Sequence, residues 1–164
     1  MRLRKLEIKD SPLMLEWMHD ESVVKGLQTD FASKTIEDCK NFITSSWGNN
    51  ENLSLAIVDE NDMYMGTVSL KNITKSSAEF AITIRTTAMG KGYSKFAMEE
   101  IIRIGIEDMG LDEIYWCVSK DNPRAVRFYD KNGYQRVDVK ELKEMKGSYT
   151  EQQINSYLWY VKRK

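Results

Sequence analysis

Three consecutive β-rich runs constrain this chain more than any other feature. Residues 53–73, "LSLAIVDENDMYMGTVSLKNI", hold two of them around the polar stretch "DENDM". Strand formers on both sides of turn formers read as an antiparallel hairpin. Residues 77–85, "SAEFAITIR", add a third strand. A helical stretch, "KFAMEEIIRIGIEDMG", then separates that strand from another, "DEIYWCVS". A long helix between two strands is the signature of a parallel crossover. The chain therefore reads as mixed α/β, with an antiparallel first half and at least one βαβ unit.

The remaining elements fit that frame. "RLRKLEI" reads as a first strand, and "DSP" opens a helix with Ser11 as cap and Pro12 at its first position. In "TIEDCKNFITSSW", Ile36, Cys39, Ile43 and Trp47 recur at helical spacing, and Thr35 with Asp38 imitates a capping box. In the long helix, Phe96, Ile101, Ile104 and Ile106 are the expected buried side, with Gly110 closing it. "NPRAVRFYDKNG" is a helix capped by Asn122, with Pro123 in its first turn and Gly133 past its end. "YQRVDV" and "NSYLWYVK" read as final strands, and the polar stretch between them, "KELKEMKGSYTEQQI", takes no assignment.

The 164 residues suit one domain over 1–164. With 24 basic and 25 acidic side chains the net charge is −1, which argues against a binder that works by neutralising nucleic-acid phosphates. No apolar run approaches the roughly 20 residues that cross a bilayer, and "MRLRKLEIKDSP" has no signal-peptide core. Cys39 and Cys117 match no metal spacing, the chain has a single histidine, and both cysteines read as free thiols. The expectation is a cytoplasmic protein with no metal, no nucleic-acid partner and no membrane contact.

Chemistry concentrates in two places. "AMGKGYSKFAM", residues 88–98, follows a strand and opens a helix. Helix N-terminal amides lack internal partners and attract anions, Gly90 and Gly92 permit close backbone approach, and Lys91 adds a charge. The same residues also suit a tight turn with a solvated lysine. No G-K-[ST] ending makes this a P-loop, and no third glycine completes a dinucleotide fingerprint. The second place is "NPRAVRFYDKNGY", where Asn122, Ala125 and Tyr129 share one side of a helix. Tyr129 by itself reads first as a buried aromatic with a satisfied hydroxyl.

The two motifs, in this order and separation, resemble the GNAT superfamily of acetyl-CoA-dependent N-acetyltransferases. The likeness covers nearly the whole chain. Its style is similar to the branch of ribosomal-protein-alanine acetyltransferases and to enzymes acting on nucleotide-linked amino sugars. The resemblance implies a mostly antiparallel central sheet flanked by helices, with a βαβ core for the co-substrate acetyl-CoA. It implies a pyrophosphate loop formed by Met89, Gly90, Lys91, Gly92, Tyr93, Ser94 and Lys95. Met89 and Ser94 depart from the family pattern, which has Gln or Arg and Gly or Ala there. Ile82 and Ile84 would offer backbone to the pantetheine arm, and Asn122 and Ala125 would form the other wall. Tyr129 would protonate the departing thiolate, since a phenol near pKa ~10 is matched to a thiol near ~8.5.

A base is also required. Glu79 stands at the start of the strand leading into the loop, and reads either as that base or as a solvated edge carboxylate. His19 and a water chain are the alternatives, and Asp20 and Glu21 would attract a cationic acceptor. Cys117 follows Trp116 in a strand and reads as core rather than nucleophile. The acceptor side falls on "MHDESVVKGLQTDFAS" and "KGSYTEQQINSYLWY", with Trp17, Phe31, Tyr149, Tyr157 and Trp159. The implied reaction is direct transfer of acetyl to a small-molecule or peptide amine, on a monomer or homodimer. The acceptor is an amino sugar nucleotide, a protein N-terminus or a small amine. A non-catalytic acetyl-CoA sensor or scaffold is the alternative.

Overall fold

The computed structural model describes residues 1–25, 27 and 29–164. Its strands are β1 (Arg2–Lys5), β2 (Leu53–Val58), β3 (Tyr64–Lys71), β4 (Ser77–Ile84), β5 (Glu113–Ser119), β6 (Gln135–Arg136) and β7 (Tyr157–Arg163). They form one sheet in the order β1-β2-β3-β4-β5-β7-β6. Every neighbouring pair is antiparallel except β4–β5, which is parallel. The mixed α/β class, the hairpin and the crossover thus stand as the sequence suggests. The turn in "DENDM" is built by Asp59, whose carboxylate accepts the N–H groups of Asn61 (2.9 Å) and Met63 (2.8 Å).

The helices are α1 (Ser11–Met18), α2 (Glu21–Val24), α3 (Ile36–Ser46), α4 (Tyr93–Arg103), α5 (Pro123–Lys131) and α6 (Glu151–Ser156). Strand alternation sorts the core onto two faces. One face carries Val68, Leu70, Phe80, Ile114, Trp116 and Tyr160 under α4 and α5. The opposite face packs Ala56, Val58 and Tyr64 against α1 and α3 at one end. At its other end Tyr115, Trp159 and Val161 lie under the C-terminal segment.

Several local expectations are corrected. Ser11 is the first residue of α1 and not its cap, because a 3-10 turn over Ile8–Asp10 runs straight into the helix. The Ser11 hydroxyl donates instead to the Ile8 carbonyl at 2.7 Å. The buried side of α4 is Ala97, Met98, Ile101 and Ile102, while Phe96, Ile104 and Ile106 are only half-buried. Phe96 lies off the buried face of the regular helix, and past Arg103 a π-helical turn over Ile104–Asp108 shifts the register of Ile104 and Ile106. There Gly105 lies flat against the sheet, and a β-carbon on it would meet Ile114 Cδ1 at 2.6 Å. β6 is only two residues long, and Asn155 and Ser156 belong to α6 rather than to β7. The box at Thr35 and Asp38 and the Asn122 cap form as expected.

Candidate active site

β4 and β5 pair over only three positions, Ser77↔Glu113, Ala78↔Ile114 and Glu79↔Tyr115. Both strands continue past that point, to Ile84 and Ser119, each bonded on its far side to β3 or β7. The two facing edges are therefore open over residues 80–84 and 116–119. The Arg85 N–H donates to the Met65 carbonyl (2.9 Å), and antiparallel bonding alternates along a strand. Ala81 and Thr83 accordingly bond β3, whereas Phe80, Ile82 and Ile84 turn their N–H and C=O groups to the open edge. Such an edge accepts an extended amide-bearing ligand as a further strand would pair.

A cleft of about 940 Å³ fills the gap. Residues from both faces of the sheet line it: Phe80, Trp116 and Tyr129 from one, Glu79, Cys117 and Tyr149 from the other. The cleft therefore passes through the sheet where the strands part.

At one end stands the glycine loop. Gly90 and Gly92 have φ of 75° and 86°, and Gly92 is the N-terminal cap of α4. That left-handed backbone favours glycine and aims the first amides of α4 outward. Met89, Gly90, Gly92, Tyr93, Ser94 and Lys95 line the cleft, as do Ile82 and Ile84. Lys91 is exposed and outside the lining. The opposite wall is α5, with Asn122 and Ala125 on the cleft. Asn122 Oδ1 caps the helix by accepting the Ala125 N–H (3.1 Å), which leaves its Nδ2 donors for the cleft. Two further cations of α5, Arg124 and Lys131, also line it. Arg124 Nη1 lies 2.9 Å from Met89 Sδ, so a guanidinium reaches the loop's start, where the sequence itself offers only a thioether. The charge of Arg124 was visible in the sequence, but its reach across 35 positions was not.

Tyr129 is 8% exposed and packs among Trp116, Tyr134 and Tyr160, with ring centroids 5.1 to 6.2 Å away. Burial pushes the ionisation of its phenol above that of free tyrosine, so it remains a proton donor. Glu79 faces the gap from the opposite side of the sheet. It is 5% exposed, so the solvated edge carboxylate is not what the fold provides. Its Oε1 accepts the Tyr149 hydroxyl, its Oε2 accepts Asn72 Nδ2 (3.1 Å), and Lys71 Nζ lies 3.8 Å away. His19 is exposed, contacts the Lys34 carbonyl through Nε2 (2.8 Å) and is not part of the lining.

Cys117 is a correction to the core assignment. Strand alternation turns it away from Trp116 and into the cleft, 3.9 Å from Tyr149 Oη. Burial pushes its thiol up to about 11, which keeps it protonated and a poor nucleophile. From the acceptor-side stretches, Phe31, Tyr149 and Tyr157 line the cleft, whereas Trp17 and Trp159 are core. Gly26 and Gln28, which belong to the first of those stretches, lie outside the described residues.

Comparison with known proteins gives consistent results. A family model described as an acetyltransferase (GNAT) domain matches residues 1–135. Acetyltransferase PseH of Campylobacter jejuni is 22% identical over 134 residues, 82% of each protein. The crystal structure of spermidine N-acetyltransferase from Vibrio cholerae, in complex with CoA and spermine, superposes with a TM-score of 0.79 at 19% identity, covering 99% of this chain and 94% of that one. PaiA N-acetyltransferase from Thermoplasma acidophilum, in complex with coenzyme A, superposes with a TM-score of 0.73 at 21% identity, covering 99% and 98%. At such identities the two superpositions speak to the fold alone.

Proposed function

Since this chain belongs to the GNAT acetyltransferases, we propose that it moves the acetyl group of acetyl-CoA to a primary amine by direct attack in a ternary complex. The observation that carries this reading is the parting of β4 and β5 after three pairs, with an anion-seeking loop at one end of the gap. The amides of the loop and of the start of α4, with Lys95, Arg124 and Lys131, take the pyrophosphate and its neighbouring phosphate. The backbone of Ile82 and Ile84 pairs with the pantetheine amides. The thioester then sits in the gap, where an N–H of the open β4 edge stabilises the oxyanion.

The amine approaches from the Glu79 face and must arrive or become unprotonated to attack. Glu79 is the carboxylate on which a proton from that amine is finally stored. Tyr129 on the opposite face gives its proton to the departing sulfur, and the proton that the nitrogen sheds as the amide forms restores the phenol. Acid and base thus stand on opposite sides of one reacting carbonyl, which keeps the two proton transfers from short-circuiting.

The charge of the cleft selects among acceptors. Its titratable lining among the described residues contains Lys25, Lys71, Lys95, Arg124 and Lys131 against one carboxylate, Glu79. That carboxylate is already paired with Lys71. Lys95, Arg124 and Lys131 serve the coenzyme A phosphates and Lys71 pairs with Glu79, so among the described lining residues a second ammonium of a polyamine finds no further carboxylate, whereas an acceptor bearing phosphate or another anion finds Lys25. We therefore place the acceptor amine on an anionic molecule, an amino sugar on a nucleotide carrier being the type. A crystal complex of a structural neighbour holds spermine, so this is a point of divergence within a shared fold.

Calorimetric titration with acetyl-CoA tests the reading, followed by thiol release with nucleotide-linked amino sugars, glucosamine 6-phosphate, an alanine-initiated peptide and spermidine. Binding with release for an anionic amine is the expected result. Binding without release for any amine favours the sensor alternative. No binding overturns the site.

A further inference from the structure

The residue that hydrogen-bonds Glu79 inside the cleft comes from the segment 140–154, which takes no assignment from local pattern. Tyr149 precedes α6, and its hydroxyl donates to Glu79 Oε1 from 70 positions away. The contact is built rather than incidental. Gly147 brings the chain so close that a β-carbon on it would lie 3.1 Å from both Glu79 Oε2 and Tyr149 Cε2. Ser77 Oγ donates to the Glu144 carbonyl (2.6 Å), and the fully buried Glu113 accepts the Lys143 N–H (2.5 Å). These bonds pin the segment to the start of β4 and β5.

A carboxylate only accepts hydrogen bonds. The phenol proton is therefore committed to Glu79, and the Tyr149 oxygen presents its lone pairs elsewhere. Each oxygen of Glu79 already accepts a donor, Tyr149 on one and Asn72 on the other. Glu79 itself is 5% exposed, while Tyr149 lines the cleft and is only half-buried. An incoming ammonium thus meets a phenol oxygen backed by an anion before it meets the anion.

We propose that Tyr149 is the group that takes the proton from the acceptor amine, passing its own proton to Glu79 in the same step. This rests on the acetyltransfer reading above. The ammonium N–H bond breaks, and its proton passes to Tyr149 Oη. The proton already on Oη passes to Glu79 Oε1. The nitrogen keeps the electron pair of the broken bond and becomes the nucleophile. Tyr149 ends neutral as it began, and Glu79 ends as the acid. Lys71 Nζ lies 3.8 Å from the Glu79 carboxylate at which the relay ends.

The test compares wild type with Tyr149→Phe on two nucleophiles: the best basic amine found in the thiol-release assay, and hydroxylamine, which is largely unprotonated at neutral pH. Removal of an ammonium proton, the step assigned to the relay, is needed only by the first. At pH 7 the variant is expected to lose about 100-fold in kcat/KM with the basic amine and less than about 3-fold with hydroxylamine, the scale of general base catalysis. The loss with the basic amine should shrink as pH rises and free amine accumulates. Acetyl-CoA affinity by calorimetry should not change.

Equal losses on both nucleophiles, or no loss on either, overturn the relay. Tyr149→His is the second variant, for the case in which phenylalanine prevents folding. An imidazole passes protons between its nitrogens and ionises near pH ~6.5. A new acid limb near that value is expected with the basic amine, and its absence in a folded variant overturns the proposal. A wild-type protein that acetylates no amine removes the acetyltransfer reading first and the relay with it. An active wild type whose Tyr149→Phe variant is unchanged removes the relay alone.

Discussion

Tyr129 is held neutral by what surrounds it. The ring is buried among aromatics, and that burial raises the pH at which its phenol ionises. The neutral phenol therefore persists where an ordinary tyrosine near pKa ~10 begins to ionise. Turnover is expected to hold between about pH 8 and about pH 10 rather than decline through loss of the acid. Tyr129→Phe should lower kcat about 10²-fold and leave acetyl-CoA affinity nearly intact, since it removes a proton and no contact of the loop. A steady-state pH profile and a calorimetric titration check both. An unchanged kcat would remove Tyr129 from the acid role. At this scale the sequence names candidates but not their surroundings. The resemblance singles out Glu79 and Tyr129, whose positions at a strand start and on a capped helix would by themselves fit an edge carboxylate and a core aromatic. That Glu79 is buried, and by which donors, depends on Tyr149, which no local pattern connects to it. Cys117 shows the same limit: the alternation of β5 turns it into the cleft, but one strand does not reveal which of its faces meets a gap.

The loop before α4 works as an element, through backbone conformation more than side chains. A β-carbon on Gly92 would meet nothing within 4 Å, so steric blocking within the protein is not what excludes other residues. The constraint is the φ of 86°, which costs a residue with a β-carbon roughly 1–2 kcal/mol and a β-branched one more. Gly92→Val should either strain the cap or rotate the first amides of α4 off their ligand. Acetyl-CoA affinity is expected to fall about tenfold or more, with the α4 core intact by circular dichroism. Normal affinity would count against the phosphate seat. Elements with strong periodicity or clear punctuation were legible: the hairpin with its polar turn, the crossover helix and the Asn122-capped α5. Residues 140–154 were not, because their order comes from partners elsewhere on the sheet. Glu113 and Ser77, which hold them, are far away in sequence. The split between β4 and β5 was equally hidden. Each strand announces itself, but pairing that stops after three positions is a property of two strands at once.

Across the whole molecule, charge is distributed with little net excess, −1 in total, yet it is concentrated in places. Cations gather along the cleft, and a second cluster secures the β1 edge of the sheet. There Arg4 bonds the buried Asp10 through both nitrogens (2.8 Å each) and Asp62 through Nε (2.9 Å). Lys9 and Arg2 add their own bonds to Asp62 (2.6 and 2.5 Å). Asp62 sits in the β2–β3 turn with φ of 64°, so one carboxylate ties the hairpin tip to β1 and to the turn that leads into α1. Hydrogen bonds from Lys9 and Arg4 hold its carboxyl down to about 2, against an ordinary value of 3.8. A group whose folded value is depressed stabilises the fold above its unfolded value, and that contribution is lost as pH falls toward the folded one. The contribution should be complete at neutral pH and disappear between about pH 4 and about pH 2. Asp62→Asn keeps a residue that tolerates the left-handed backbone and removes only the charge. Its Tm is expected to lie on the order of 2 °C below wild type at pH 7, to converge with wild type near pH ~2, and to do so less distinctly in high salt. Thermal melts across pH and ionic strength read this directly. A Tm gap that persists unchanged at the acid end would mean that the turn conformation, and not the ion cluster, carries the effect.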